Sequence, residues 1–150
     1  MIKQIAHVGV TVSDLDRSIA FYRDIAGLEF KGEMLMEGPE TDRLFGRKGA
    51  RARVAYLNGS DHMMCPPLEL IQFTDAEVEK EDADLFRTSV SEICFATDDI
   101  YRTYEELREK GVEFLSEPQK FDSTEYGFGK SIAVYFRDPD NIIMELIQPL

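Results

Sequence analysis

Four side chains invite a chemical reading: His7, Glu69, Glu92 and Glu145. Glu69 is embedded in Leu-Glu-Leu-Ile and Glu145 in Met-Glu-Leu-Ile, while Glu92 stands beside Ile93-Cys94-Phe95. A carboxylate buried in such company without a partner costs several kcal/mol. One glutamate alone could face water from the outer side of a sheet, and a lone histidine could be a satisfied core residue. These four, however, are related in pairs by an internal duplication. His7 opens HVGVTVSDLDRS (7–18) and Glu92 opens EICFATDDIYRT (92–103), an offset of 85 (92 − 7). Leu68-Glu69-Leu70-Ile71-Gln72 falls on Met144-Glu145-Leu146-Ile147-Gln148. A divalent cation shared by the two copies would neutralise the carboxylates and account for all four together. One imidazole and three carboxylates make a nitrogen–oxygen site of medium hardness. It suits Zn²⁺, Ni²⁺, Co²⁺, Mn²⁺ or Fe²⁺, with remaining positions open to water or substrate.

The elements that must position these residues repeat as well. In IAHVGVTV (5–12) alternation puts Ile5, His7, Gly9 and Thr11 on one face of a strand and Ala6, Val8, Val10 and Val12 on the other. A helix follows, with Ser13 as its expected N-cap, Leu15, Ile19, Tyr22 and Ala26 as its apolar stripe and Gly27 as its stop. The second copy offers Asp98 as cap, Ile100, Tyr104 and Leu107 as stripe, and Gly111 as stop. With one residue removed, Gly27-Leu28-Glu29-Phe30 falls on Gly111-Val112-Glu113-Phe114. The segments 53–57, 67–73, 131–136 and 142–148 read as strands, the last two joined by turn chemistry at Asp138-Pro139-Asp140-Asn141. Module 1 (1–74) and module 2 (89–150) are separated by an acidic linker (75–88), in which DAEVEKEDAD (75–84) carries six acids and one lysine. The fold class expected is α+β, a strand–helix–strands unit occurring twice within one domain of 150 residues.

The formal net charge of −12 argues against nucleic acid and against anionic lipid as partners. No run approaches the ~18–20 apolar residues of a membrane span. The patterned N-terminus shows no signal peptide. Cys65 and Cys94 form no C-x-x-C pair, which reads as reduced thiols in a cytoplasmic protein. His62, in the loop beside Met63-Met64-Cys65-Pro66, reads as solvated.

With these pieces in place, the chain resembles the vicinal oxygen chelate superfamily, which includes glyoxalase I, methylmalonyl-CoA epimerase, extradiol dioxygenases and antibiotic-resistance proteins. The resemblance covers nearly the whole chain, and its most telling stretches are residues 7–30, 68–72, 92–100 and 133–148. It implies tandem βαβββ modules, a glyoxalase-like fold curling around a central metal cleft. Ligands would stand at the four positions argued above. Family members often pair as homodimers, and some build each site from modules of different chains. His7, Glu69 and Glu145 fit the family's pattern of ligands. Glu92 departs from it, because histidine is usual there; it could bind metal or act as a base.

The reaction implied is a lyase, isomerase or epimerase step of the glyoxalase I or methylmalonyl-CoA epimerase type. A proton next to a carbonyl is removed from a small carbonyl compound or thioester, with Glu145 and Glu69 as candidate bases in symmetric positions. An extradiol-type dioxygenase is the first alternative, disfavoured by Glu92, since its iron site resembles two histidines and one carboxylate. A non-catalytic antibiotic-binding module is the second. For substrate recognition, RLFGRKGARAR (43–53) concentrates positive charge. Arg47, Arg51 and Arg53 could grip an anionic handle, or simply form a solvated hairpin tip. The stretch 116–130 could be a flap that turns Tyr126 and Phe128 toward a ligand; equally, both could close the core.

Overall fold

The computed structural model describes residues 5–59, 67–81, 83–86 and 88–150. His62 and Cys65 lie outside the described residues. The chain divides into two compact units, Met1–Lys80 and Glu81–Leu150, with the boundary inside the acidic stretch.

Unit 1 runs β1 (Val8–Thr11), α1 (Leu15–Ala20), β2 (Glu29–Met36), α2 (Pro39–Phe45), β3 (Ala52–Asn58) and β4 (Leu68–Phe73). Its four strands form one mixed sheet in the order β1-β4-β3-β2, in which β1 and β4 are parallel and the other pairs antiparallel. Unit 2 repeats the plan with β5 (Ile93–Ala96), α3 (Ile100–Glu109), β6 (Gln119–Ser123), β7 (Gly129–Arg137) and β8 (Ile143–Pro149), in the order β5-β8-β7-β6. Each unit is thus a βαβββ module, and unit 1 adds α2 between its second and third strands. That short helix takes Pro39 at its first position and ends at Gly46, whose φ of 65° only glycine adopts without strain.

Alternation in the first strand sorts the faces as the residue pattern requires. Val10 and Val12 are buried while Gly9 and Thr11 are exposed. Parallel register carries this sorting onto β4, where Leu68 and Leu70 pair with Val8 and Val10. The helix-covered face therefore holds Val10, Leu68, Leu70, Ala55 and Leu57, all buried, with Leu15, Ile19 and Tyr22 of the helical segment at 8% exposure or less. The same logic in unit 2 buries Ile100 and Leu107 of α3 and Val134, Phe136, Met144 and Leu146 of the sheet.

Both helix caps stand one residue later than the Ser13 and Asp98 expected from the sequence. Asp14 has extended backbone (φ −145°), and its Oδ1 accepts the Arg17 N–H at 3.0 Å. Asp99 (φ −142°) accepts the Arg102 N–H at 3.1 Å. Ser13 instead accepts a hydrogen bond from the Arg17 guanidinium at 2.9 Å. A carboxylate one step closer to the helix reaches the third helical N–H directly, and so displaces its neighbour from the role.

The two helical segments differ in one respect. Leu15 to Gly27 spans one residue more than Ile100 to Gly111. After Ala20 the first helix continues as a π-helical turn, Phe21–Ile25, with the Ala26 N–H donating to the Phe21 carbonyl at 2.9 Å. A π turn holds one more residue than an α turn, so it absorbs the insertion locally. Both segments then stop at a glycine of positive φ, Gly27 at 82° and Gly111 at 87°.

The last residue of the repeated L/M-E-L-I-Q run has a structural task in both units. The Gln72 Oε1 accepts the Leu15 N–H at 3.2 Å, and its Nε2 donates to the Ser13 carbonyl at 3.1 Å. The Gln148 Oε1 accepts the Ile100 N–H at 2.9 Å. Each glutamine ties the module's last strand to the turn leaving its first strand, and satisfies the first N–H of the helix. Replacing Gln72 by Leu is expected to lower the unfolding free energy by roughly 1–3 kcal/mol, because a half-buried N–H and carbonyl lose their partners. Urea denaturation measures this, and an unshifted midpoint would show that the amide contributes nothing.

Candidate functional site

In unit 1 the sheet face opposite α1 carries a row of three residues in register, Gly9 on β1, Glu69 on β4 and Tyr56 on β3. His7 stands just before β1 on that same side. Glu69 is 8% exposed although it is ionisable, and each of its oxygens has a neighbour. Oε1 accepts a hydrogen bond from the Tyr56 hydroxyl, and Oε2 lies 3.3 Å from the His7 Nε2. The His7 and Tyr56 rings meet edge to face with centroids 6.0 Å apart. The hydrogen bond to Glu69 first, then burial and the carboxylate charge, push the Tyr56 phenol up to about 12.

Unit 2 builds the same row from Cys94 on β5, Glu145 on β8 and Tyr135 on β7, with Glu92 one residue before β5. Burial first, then a hydrogen bond to Glu145 and the charges of Glu145 and Glu92, raise the Cys94 thiol from its ordinary 9.0 to about 12. Burial and the charges of Glu145 and Glu92 likewise raise the Tyr135 phenol. Glu92 and Glu145 therefore act on one small patch of the second sheet. The structure gathers the sequence-derived residues as two pairs, His7 with Glu69 and Glu92 with Glu145. Among the described residues no group of three or more His, Cys, Asp or Glu side chains is assembled as a metal-holding cluster.

Tyr56, Tyr135, Cys94 and Gly9 complete these rows, and none was singled out by type and spacing. A signal existed: RVAYL and IAVYF place a tyrosine at the same point of the two duplicated third strands. Gly9 and Cys94 sit two residues after His7 and Glu92.

The candidate substrate residues fall elsewhere. Arg53 lies in β3 with its side chain on the helix side of the sheet, opposite to Tyr56. There it meets Asp16 of the helical segment at 2.8 Å and Glu33 of β2 at 2.7 Å. Both carboxylates hold its proton more firmly, and the Asp16 carboxyl is lowered in turn. Arg51 meets Glu37 at 3.0 Å, and Arg47 pairs with Asp75. The positive segment is neither a free hairpin tip nor a set of open cations. It comprises the end of α2, a short connection and β3, and these three arginines are matched to acids distant in sequence. The 116–130 stretch contains the strand β6 and a short 3-10 turn, Thr124–Tyr126, with β6 pairing with β7 from Gln119↔Ala133 to Ser123↔Gly129. Tyr126 and Phe128 stand at its turn, 71% and 86% exposed, so neither closes the core.

The architecture has known counterparts. Residues 4–146 match the family model described as the Glyoxalase/Bleomycin resistance protein/Dioxygenase superfamily, and the chain belongs to that family. The Haemophilus influenzae lactoylglutathione lyase is 28% identical over 97% of this chain and 92% of its own length. An uncharacterised Bacillus subtilis protein, YetH, is also 28% identical, over 97% and 98%. A glyoxalase family protein from Bacillus cereus superposes with a TM-score of 0.83 at 22% identity, covering 100% of this chain and 96% of that one, which establishes the glyoxalase-like fold. No helix among the described residues is long and apolar enough to cross a membrane.

The raised thiol yields a direct test. Thiolate is the alkylating species, and Cys94 would reach it only near pH 12. At pH 8 the native protein should carboxymethylate Cys94 far more slowly than the urea-unfolded chain, read by mass spectrometry of the Cys94 peptide. Removing the nearest carboxylate in Glu145→Gln should accelerate the native reaction. Equal rates in native and unfolded protein would contradict the placement of Cys94 among these acids.

Proposed function

We propose that this protein is a metal-dependent lyase or isomerase that moves a proton next to a carbonyl, on a substrate such as a hemithioacetal or a thioester. The observation that carries the reading is the duplicated row, in which a glutamate in the middle of each module's last strand lies on the sheet face away from the helix. Kinship with lactoylglutathione lyases supports the same class. The donor chemistry fits a divalent cation: one imidazole nitrogen and carboxylate oxygens, as Zn²⁺, Ni²⁺, Co²⁺, Mn²⁺ or Fe²⁺ accept. His7 and Glu69 in the first module and Glu92 and Glu145 in the second are the donors that would hold it, and each module by itself offers two. When bound, that cation would supply Lewis-acid polarisation of the substrate carbonyl.

The proton itself is work for the chain. Glu145 is less buried than Glu69, in register with Cys94 on β5 and Tyr135 on β7, and is therefore the glutamate we assign as base. It would take the proton from the carbon beside the carbonyl and return it to the adjacent position. Glu69, held at both oxygens, and His7 would act as fixed ligands. Glu92 adds a charge where the family usually has histidine, which makes the donor set harder and favours lyase or isomerase chemistry over oxygen activation.

Three measurements test this. Equilibrium dialysis against Ni²⁺, Co²⁺ or Zn²⁺ should give stoichiometric metal. The loaded protein should exchange solvent deuterium into a hemithioacetal or thioester substrate. Glu145→Gln should lose turnover by at least ~100-fold, the scale of a general base, while keeping the wild-type circular dichroism spectrum. Full activity in that variant would remove Glu145 from the mechanism, and absence of bound metal would favour a sequestering module.

A further inference from the structure

We propose that the glutamate-bearing sheet face of unit 1 binds an uncharged substrate by its hydrocarbon part, with the oxygen function of that substrate directed to the end that holds His7 and Glu69. This deepens the proposed function by naming a substrate class. It rests on that reading only in taking this face as the one that meets the substrate, and no metal enters it.

Register sorts this face into two ends. At one end stand His7, Glu69 and Tyr56, polar and in contact with one another. From there the face turns apolar, with Ile71 and Phe73 along β4, Val54 beside them on β3, and Met34 and Met36 across from β3 on β2. Ile71, Phe73 and Met36 are half-buried and Met34 is 46% exposed, so the core of unit 1 does not use up this surface. At the far end Phe45 of α2 meets Phe73 edge to face, with ring centroids 5.3 Å apart. From β4 to β2 is two strand spacings, about 10 Å, and from Glu69 to Phe73 is four residues, about 13 Å. Such an area matches a body of one or two rings. Methionine side chains at its margin adapt to the outline of an apolar ligand.

Charge sets the substrate class. Among the described residues of unit 1, no arginine or lysine stands at a paired position of this face. Arg53, the one cation of β3, lies on the helix side against Asp16 and Glu33. Lys31 of β2 falls in the bulge between Phe30 and Gly32 and is matched to Glu29. Arg51 and Arg47 are matched to Glu37 and Asp75. An anionic handle on this face would meet the Glu69 carboxylate and a chain of net charge −12, with no cation there to pair it. A hydrocarbon body instead gains by leaving water for methionine and phenylalanine. Unit 2 is more polar at the matching points: Ala133 replaces Val54, Gln119 stands where unit 1 has Met34, and Pro149 replaces Phe73.

Two fluorescent probes test this on the full-length protein after dialysis against a chelator. N-phenylnaphthylamine is uncharged, and anilinonaphthalene sulfonate carries an anion on the same ring body. The uncharged probe should bind at least about 10-fold more tightly. Met34→Lys should weaken it about 10-fold and narrow the preference between the probes. Leu35→Lys adds the same charge to the same strand at a position equally exposed, 46%, but on the opposite face, and should keep wild-type affinities. Met34→Gln should weaken the uncharged probe in the same direction, and it carries the test if Met34→Lys does not fold. Equal affinity for the two probes, no binding of the uncharged one, or an equal loss in Leu35→Lys overturns the inference and leaves proton transfer to its own tests. A wild-type dimer that Met34→Lys splits into monomers, seen by sedimentation, would give the face to a second copy and overturn it too. Probe binding as expected, in a protein that exchanges no deuterium, would uphold the binding face and remove the proton-transfer reading instead.

Discussion

A carboxylate in the middle of a sheet, shielded from water, governs much of what surrounds it. Glu69 would cost several kcal/mol to bury without partners. The fold supplies them through register. The β3–β4 pairing brings Tyr56 opposite it, and the parallel β1–β4 pairing brings Gly9 alongside, with His7 just beyond the strand end. Shifting either register by one residue would turn Glu69 into the helix-covered core and place Leu68 or Leu70 on the face away from the helix. The alternating apolar residues that build the core are therefore the same ones that fix the acid's environment.

The acid also explains why the two units are alike in plan and unlike in detail. Both modules keep a tyrosine on the third strand and, on the last, a glutamate with a glutamine three residues after it. The glutamines hold each helix entry to the sheet, which fixes the connection leaving the first strand. Around that shared frame the donors differ. One module gives an imidazole and a rigidly bonded carboxylate; the other gives two carboxylates and a thiol. Equivalent backbone positions have thus been given unequal chemistry, and under the proposed mechanism that inequality separates a fixed ligand from a base.

Much of this was legible in the residues. Period-two alternation identified the buried and open faces of the first strand, and the duplication paired His7 with Glu92 and Glu69 with Glu145. The helix stripes and glycine stops were legible too, because 3.6-residue spacing and positive φ leave strong marks. Other features were not. Each cap is the second of two adjacent polar residues, and spacing alone does not say which side chain reaches the helix N–H. The edge strand β2 contains GEMLM, whose exposed Met34 and Leu35 break the alternation expected of a half-buried strand. The arginines of 47–53 looked like open cations because their partners, Asp16, Glu33, Glu37 and Asp75, are distant in sequence or on other elements. The Tyr56 contact depends on cross-strand register, which no local pattern encodes.

The π turn at Phe21–Ile25 bears on how such a pair of modules can drift apart. An additional amino acid inside a packed α-helix would normally rotate everything downstream by about 100° and carry the apolar stripe away from the sheet. Here the helical ladder slips once, from its usual spacing to the wider one at Ala26, and the phase is restored before Gly27. Strands β2, β3 and β4 are thereby insulated from the length change. A duplicated gene can accept such an indel in one copy while the hydrogen-bonded sheet, and the acid at its centre, keep their ancestral alignment.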